Sequence, residues 1–206
     1  MIGNKKSGIS LLLGAFLMTV TMVLHPAGGD NAHIVKMASM FMLAHGIAIF
    51  AVPFTAYGFF GLSQKWAKNS QWSYLAFGFA ALSLIAAVFA AMINGVILPN
   101  FLKAGVEKGF SEETIQAFRT FIFRFNAACD YVLMGGLIIA IFIWSLPLLR
   151  SESKDKWLAY FGLILVIICL VFIVSGFNFL SVFGFRVFVF LVVIWIFAAG
   201  WRLVKG

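Results

Sequence analysis

The chain has 206 residues, 63% of them hydrophobic and 11% charged, with a mean hydropathy of +1.05. Soluble domains carry about a quarter charged residues, so a water-facing globular protein is excluded, and 25 phenylalanines with 6 tryptophans require lipid as solvent. The formal net charge of +8 comes from 15 Lys and Arg placed between apolar runs rather than on one basic face, which excludes nucleic acid and points to membrane topology and anionic headgroups.

Six apolar runs approach the ~20 residues that a membrane-spanning helix needs. None alternates with period two, so helices rather than barrel strands are predicted. The first run, residues 8–24, follows Lys5 and Lys6 and precedes "AGG", a pattern with some signal-peptide character. It exceeds a typical signal core, and the multispan pattern continues beyond it, so an uncleaved first helix is expected. His25 and Pro26 then end that helix. Gly28 and Gly29 make a turn rather than a phosphate loop, because the chain contains no GxxxxGK or GxGxxG.

The second run, 37–62, contains Pro53. The third, 72–98, carries Ala76, Ala80, Ala86, Ala87, Ala90 and Ala91, small residues that suit close helix contact and place this span inside the bundle. Residues 100–125 form the longest connection. Within it "SEET" at 111–114 predicts a helix start capped by Ser111, with Glu112 and Glu113 at the positive end of the dipole. No breaker separates that start from the fourth run, 123–149, so the fourth helix should project beyond the membrane by a few turns. The fifth run is 157–175. The sixth, 185–203, is bulky all round and is expected to face lipid. The whole chain, 1–206, reads as a single transmembrane domain of all-α class, without internal repeats or linkers.

Orientation follows the basic residues. Lys5, Lys6, Lys65, Lys68, Arg150, Lys154, Lys156, Arg202 and Lys205 fall on the side of the termini, against Lys36, Lys103, Lys108, Arg119, Arg124 and Arg186 opposite. Both termini are therefore expected in the cytoplasm of a multi-pass protein of the cell membrane, of bacterial inner-membrane type. Both cysteines, Cys129 and Cys169, lie in apolar runs without CxxC spacing and read as inert filler.

Polar side chains inside spans are costly and are the first functional candidates. Here they share one level, in the outer half. His25 closes the first span, and His45 lies deep in the second, about 12 Å from its outer end at 1.5 Å per residue. Asn94 belongs to the third span, Asn126 and Asp130 to the fourth, and Asn178 and Arg186 flank the last outer turn. Spacings of seven and four put Arg119, Asn126 and Asp130 on one helical stripe. A carboxylate within a span must be protonated or paired, and Arg124 and Arg186 are the candidate partners of Asp130. A structural ion pair and a ligand- or proton-handling carboxylate are both open.

All three histidines lie between positions 25 and 45. His25 suits a helix end, and His33 suits a solvated loop beside Asp30. His45 needs a partner, for which Asn94 or a neighbouring carbonyl would serve; proton transfer or metal or haem ligation are alternatives. His25, His45 and Asp130 would suffice for a three-ligand zinc site, and His45 for an axial haem ligand. Neither HxxxH nor HExxH occurs, and no GxSxG nucleophile elbow is present.

The leading expectation is a non-enzymatic, binding or transport-like protein. It would hold a small-molecule ligand through His45, Asn94, Asn126 and Asp130, with Arg119 and Arg186 as charge partners. The alternatives are a metal- or haem-bearing membrane enzyme or redox protein using His25 and His45, and a structural partner subunit that docks another chain through the helix before the fourth span.

Overall fold

The computed structural model describes residues 3–26, 29–68, 70–150 and 155–206. Gly28 and Lys154 lie outside the described residues. The elements in chain order are α1 (Gly3–Leu24), α2 (Asn31–Lys36), α3 (Ala38–Trp66), α4 (Trp72–Met92), a π-helical turn (Ile93–Ile97), α5 (Leu98–Lys108), α6 (Glu112–Arg150), α7 (Lys156–Val174) and α8 (Val182–Lys205). Six helical segments are long and apolar enough to cross a membrane. Among the described residues the protein is all-α, a six-helix, multi-pass membrane protein, and that even number of spans puts Gly3 and Gly206 on one side.

Two segments far exceed the bilayer. Trp72–Lys108 is a continuous helical stretch of 37 residues, and α6 has 39. At 1.5 Å per residue each is about 55–58 Å long, against a hydrocarbon core of about 30 Å. Their ends therefore stand out on the side opposite the termini. There α2 packs on them through a separate apolar cluster of Ile34, Phe41, Ile93, Leu98, Leu102 and Ile122. Ser111 accepts from the Thr114 N–H at 3.2 Å, as the sequence indicates, and Gly109 ends α5 in the left-handed region at φ 67° that glycine adopts without strain.

The lipid-facing surface is apolar, with Val174 88% exposed and Val23 71% exposed. Trp72, Trp157 and Trp201 are also exposed, and all three sit at the terminal-side ends of their helices, where an aromatic belt meets the headgroups.

Glycine and serine faces let the helices touch. Gly58 lies against Leu11, Gly61 against Ser7, Gly14 against Thr55, and Gly8 against the Gly200 carbonyl, so α1 is wedged between α3 and α8. This corrects the expectation for the sixth span. Trp195 is fully buried, as are Phe188, Ile196 and Ala199. The Gly8–Gly200 approach gives α8 an inward face that its bulky composition conceals. The third span is as expected on its inner side, with Ala76 and Ala80 fully buried and Ala86 and Ala91 nearly so.

Toward the terminal side, Trp144 is fully buried. It donates from Nε1 to Ser63 Oγ at 3.0 Å and to the Ser73 carbonyl at 3.2 Å, and stacks on Trp195 at 5.9 Å. Below it, buried Asp155 accepts from Arg202 Nε at 2.6 Å and pairs with Lys65 Nζ at 3.7 Å. In sequence, Lys65 and Arg202 are simple topology charges; in the fold they are spent on a buried carboxylate.

Candidate functional site

A cavity of about 570 Å³ reaches from the end opposite the termini past the middle of the bundle. Its wall comes from α1, α3, α4, α6 and α8, with Ile34 of α2, Leu98 of α5 and Leu180 of the last turn closing the top. His25, His45, Asn94, Arg119, Asn126, Asp130 and Arg186 all line it. Asn178 does not line it; its side chain accepts from the Leu180 N–H at 3.0 Å and shapes the turn.

One polar chain crosses two helices. Asn94 Nδ2 donates to Asn126 Oδ1 at 2.5 Å, and Asn126 Nδ2 donates to Asp130 Oδ2 at 2.7 Å. The second bond is the i,i+4 pairing that a helix face offers. The first depends on the π-helical turn, whose extra residue re-aims the side chains of Ile93–Ile97 relative to a regular helix. Gly95 in that turn lies directly against the His45 side chain, where a β-carbon would overlap it. His45 is therefore seated against the same turn that carries Asn94, and both residues line the cavity.

No arginine pairs with Asp130 among the described residues. Its partner is Asn126, which corrects the expectation of an ion pair with Arg124 or Arg186. Arg124 precedes Asp130 by six residues, which turns it about 120° away around the helix, and it is exposed. Arg186 instead donates from Nη2 to the His25 carbonyl at 2.6 Å. Asp130 is only 6% exposed.

His25 and His45 come together with ring centroids 4.8 Å apart. His45 Nδ1 meets the Phe41 carbonyl and His25 Nδ1 the Pro26 carbonyl, each at 2.8 Å. A carbonyl only accepts, so both Nδ1 atoms carry the hydrogen, and in the neutral ring each Nε2 keeps a lone pair. The His45 partner is thus a carbonyl, one of the two sequence alternatives, while Asn94 is taken by Asn126. Burial holds His25 below the ordinary histidine range; its hydrogen bond to Pro26 opposes this, and the Arg186 guanidinium adds to it. His33 stands apart. It lies in the first turn of α2, exposed, with its N–H held by the Asp30 carboxylate at 2.8 Å. The histidine run of the sequence is therefore one adjacent pair and one surface residue.

The mouth is held by Arg119. It donates from Nη1 to Asn31 Oδ1 at 2.7 Å and from Nη2 to the Gly29 carbonyl at 3.3 Å, tying α6 to the start of α2 and to the segment before it. Its guanidinium also lies over the Phe123 ring at 5.2 Å. The Arg186 Nε and the Thr21 hydroxyl are buried and make no hydrogen bond, although both residues line the cavity.

Sequence reasoning passes over Thr21 and Asn31. Thr21 is one turn below His25 on α1, a spacing that would have found it. Asn31 reaches Arg119 only through the folding back of α2, which leaves no local trace. Among the described residues no group of three or more His, Cys, Asp and Glu is placed to hold a metal ion. Cys129 and Cys169 are buried and unpaired, away from the cavity wall.

Fold and site define a multi-pass helical membrane protein with a polar-headed internal cavity. Compared with models of protein families, with curated proteins and with solved structures, the chain matches none.

Proposed function

We propose that this membrane protein binds a small ligand in the cavity, with His45, Asn94, Asn126 and Asp130 as contacts and Arg119 and Arg186 as charge partners. The observation that carries the reading is the convergence of those side chains, from four helical segments, on one space of about 570 Å³. That volume is within the range of small-molecule sites, about 300–1,000 Å³. A purely structural role would bury these groups against one another. Here Arg186 Nε and the Thr21 hydroxyl keep unused hydrogen-bonding capacity. Binding alone, or binding as a step in transport, fits this arrangement.

The test is organic extraction of the detergent-purified protein followed by mass spectrometry. Wild type should release a small molecule in near-stoichiometric amount. Asp130→Asn, His45→Ala and the cavity-filling Ala90→Trp should each be depleted of it. Equal yields from all four proteins would sink the reading.

A second reading, a metal-binding redox or enzymatic role, draws on one observation. Both adjacent imidazoles have Nδ1–H fixed on a carbonyl, the outer-shell arrangement that leaves Nε2 to a metal. It predicts zinc, copper or iron in near-stoichiometric amount by elemental analysis, lost in His45→Ala; metal-free protein would rule it out.

A further inference from the structure

We infer that the ligand is a single-chain amphiphile with an anionic headgroup, its head between Arg186 and Arg119 and its alkyl chain in the deep part of the cavity. This rests on the ligand-binding reading and names the chemistry of the ligand.

The wall is divided by depth. At and above the level of Thr21, His45, Asn94, Asp130 and Arg186 lie all of its polar side chains. Below that level α1, α3, α4, α6 and α8 each present apolar residues alone, down to Phe59, Leu84, Leu137 and Ile196. From Asn94 to Leu84, and again from Arg186 to Ile196, the apolar part runs ten residues, about 15 Å of helix axis. A compact polar solute would leave that length unfilled, and burying water against it would gain no hydrogen bonds. An alkyl chain fills it.

Charge selects the head. Two guanidiniums face the upper cavity against one carboxylate, Asp130, which already accepts from Asn126. The imidazole beside Arg186, that of His25, is held below the ordinary histidine range by burial, against its Pro26 hydrogen bond and with a further lowering by Arg186, so it adds little to this charge. The surplus is positive. Arg186 donates from Nη2 to the His25 carbonyl and leaves Nε buried and unpartnered, so the protein itself does not use the full donor set of this guanidinium. Guanidinium forks match carboxylate and phosphate oxygens. A cationic head would be repelled by that surplus, and an uncharged head, though its oxygen could accept from a guanidinium, would leave it uncompensated.

The test uses the full-length protein in a non-ionic maltoside and reads thermal stabilisation and affinity for four probes. These are dodecyl phosphate, dodecanol, dodecyltrimethylammonium and inorganic phosphate. Dodecyl phosphate should bind at least about tenfold more tightly than dodecanol, and inorganic phosphate and the cation should give no stabilisation. Arg186→Gln should remove the preference for the anion while dodecanol binding stays, and Arg186→Lys should restore part of it. Should Arg186→Gln fail to fold, Ala87→Phe tests the chain: it obstructs the apolar part at mid-depth, so hexadecyl phosphate should be lost while octyl phosphate is retained. Equal affinity for dodecyl phosphate and dodecanol would overturn the headgroup assignment and leave ligand binding intact. Inorganic phosphate binding as well as dodecyl phosphate would overturn the amphiphile. No binding of any probe, together with no extractable ligand, would overturn both readings.

Discussion

Gly8→Ile is expected to cost about 3 kcal/mol and to lower the unfolding midpoint in detergent by roughly 5–10 °C. A β-carbon at Gly8 would lie 2.8 Å from the Gly200 carbonyl oxygen and 2.8 Å from Leu203 Cβ. The first of these is main chain, so no rotamer change relieves it and α1 must move off α8. In a bilayer that movement is damaging for a particular reason. Helices do not associate there to escape the solvent, since lipid tails solvate leucine well; close van der Waals contact is a principal gain, and it decays within a fraction of an ångström. Gly78→Ala is the control, because a β-carbon there meets nothing and alanine has the better helix propensity. Midpoints measured side by side decide it. If Gly8→Ile unfolds with Gly78→Ala, the contact of α1 with α8 does not hold the bundle.

Asp155→Ala is expected to cost about 2–3 kcal/mol, less than the roughly 3–5 kcal/mol of a fully buried broken pair because both cations are partly hydrated. The Arg202 and Lys65 side chains are 21% and 19% exposed, while that of Asp155 is 6% exposed. Removing the carboxylate leaves two cations facing each other where α3, α7 and α8 meet. The penalty is chiefly that of uncompensated charge, so it should be recoverable. Replacing Asp155 by Leu together with Arg202 by Met should restore a large part of the midpoint, since that pair then needs no desolvation and the remaining cation, Lys65, is 19% exposed and partly hydrated. A double variant as unstable as the single one would mean that Asp155 acts through packing or turn geometry instead.

Much of this architecture is legible in the sequence because the bilayer imposes one length and one polarity on every span. The fourth helix announces its extramembrane start by "SEET", and the shared depth of His25, His45, Asn94, Asn126, Asp130 and Arg186 follows from counting residues along each span. Depth is one coordinate, however, and azimuth is another. That Arg124 turns away from Asp130 can be read from helical spacing, but that Arg186 is committed to the His25 carbonyl cannot, because a backbone acceptor leaves no mark in composition. The π-helical turn at Ile93–Ile97 is equally silent, being a one-residue surplus in the hydrogen-bond ladder with no signature residue. The inward face of α8 is hidden because Gly200 matters only for what Gly8 brings to it. Asp155 is hidden because Lys65 and Arg202, which pair with it, double as topology charges.

The contact of α1 with α8 sets a schedule for assembly. Gly8 and Gly200 are far apart in sequence and meet in the fold, so α1 cannot complete its packing until α8 has been made. Until then its surface toward α8 must be covered by lipid or by an insertion factor, and pairs closer in sequence, such as α1 with α3 and α4 with α6, are free to form first. Docking of α8 on α1 is thus the step of highest contact order, and the one that a stalled chain would leave undone.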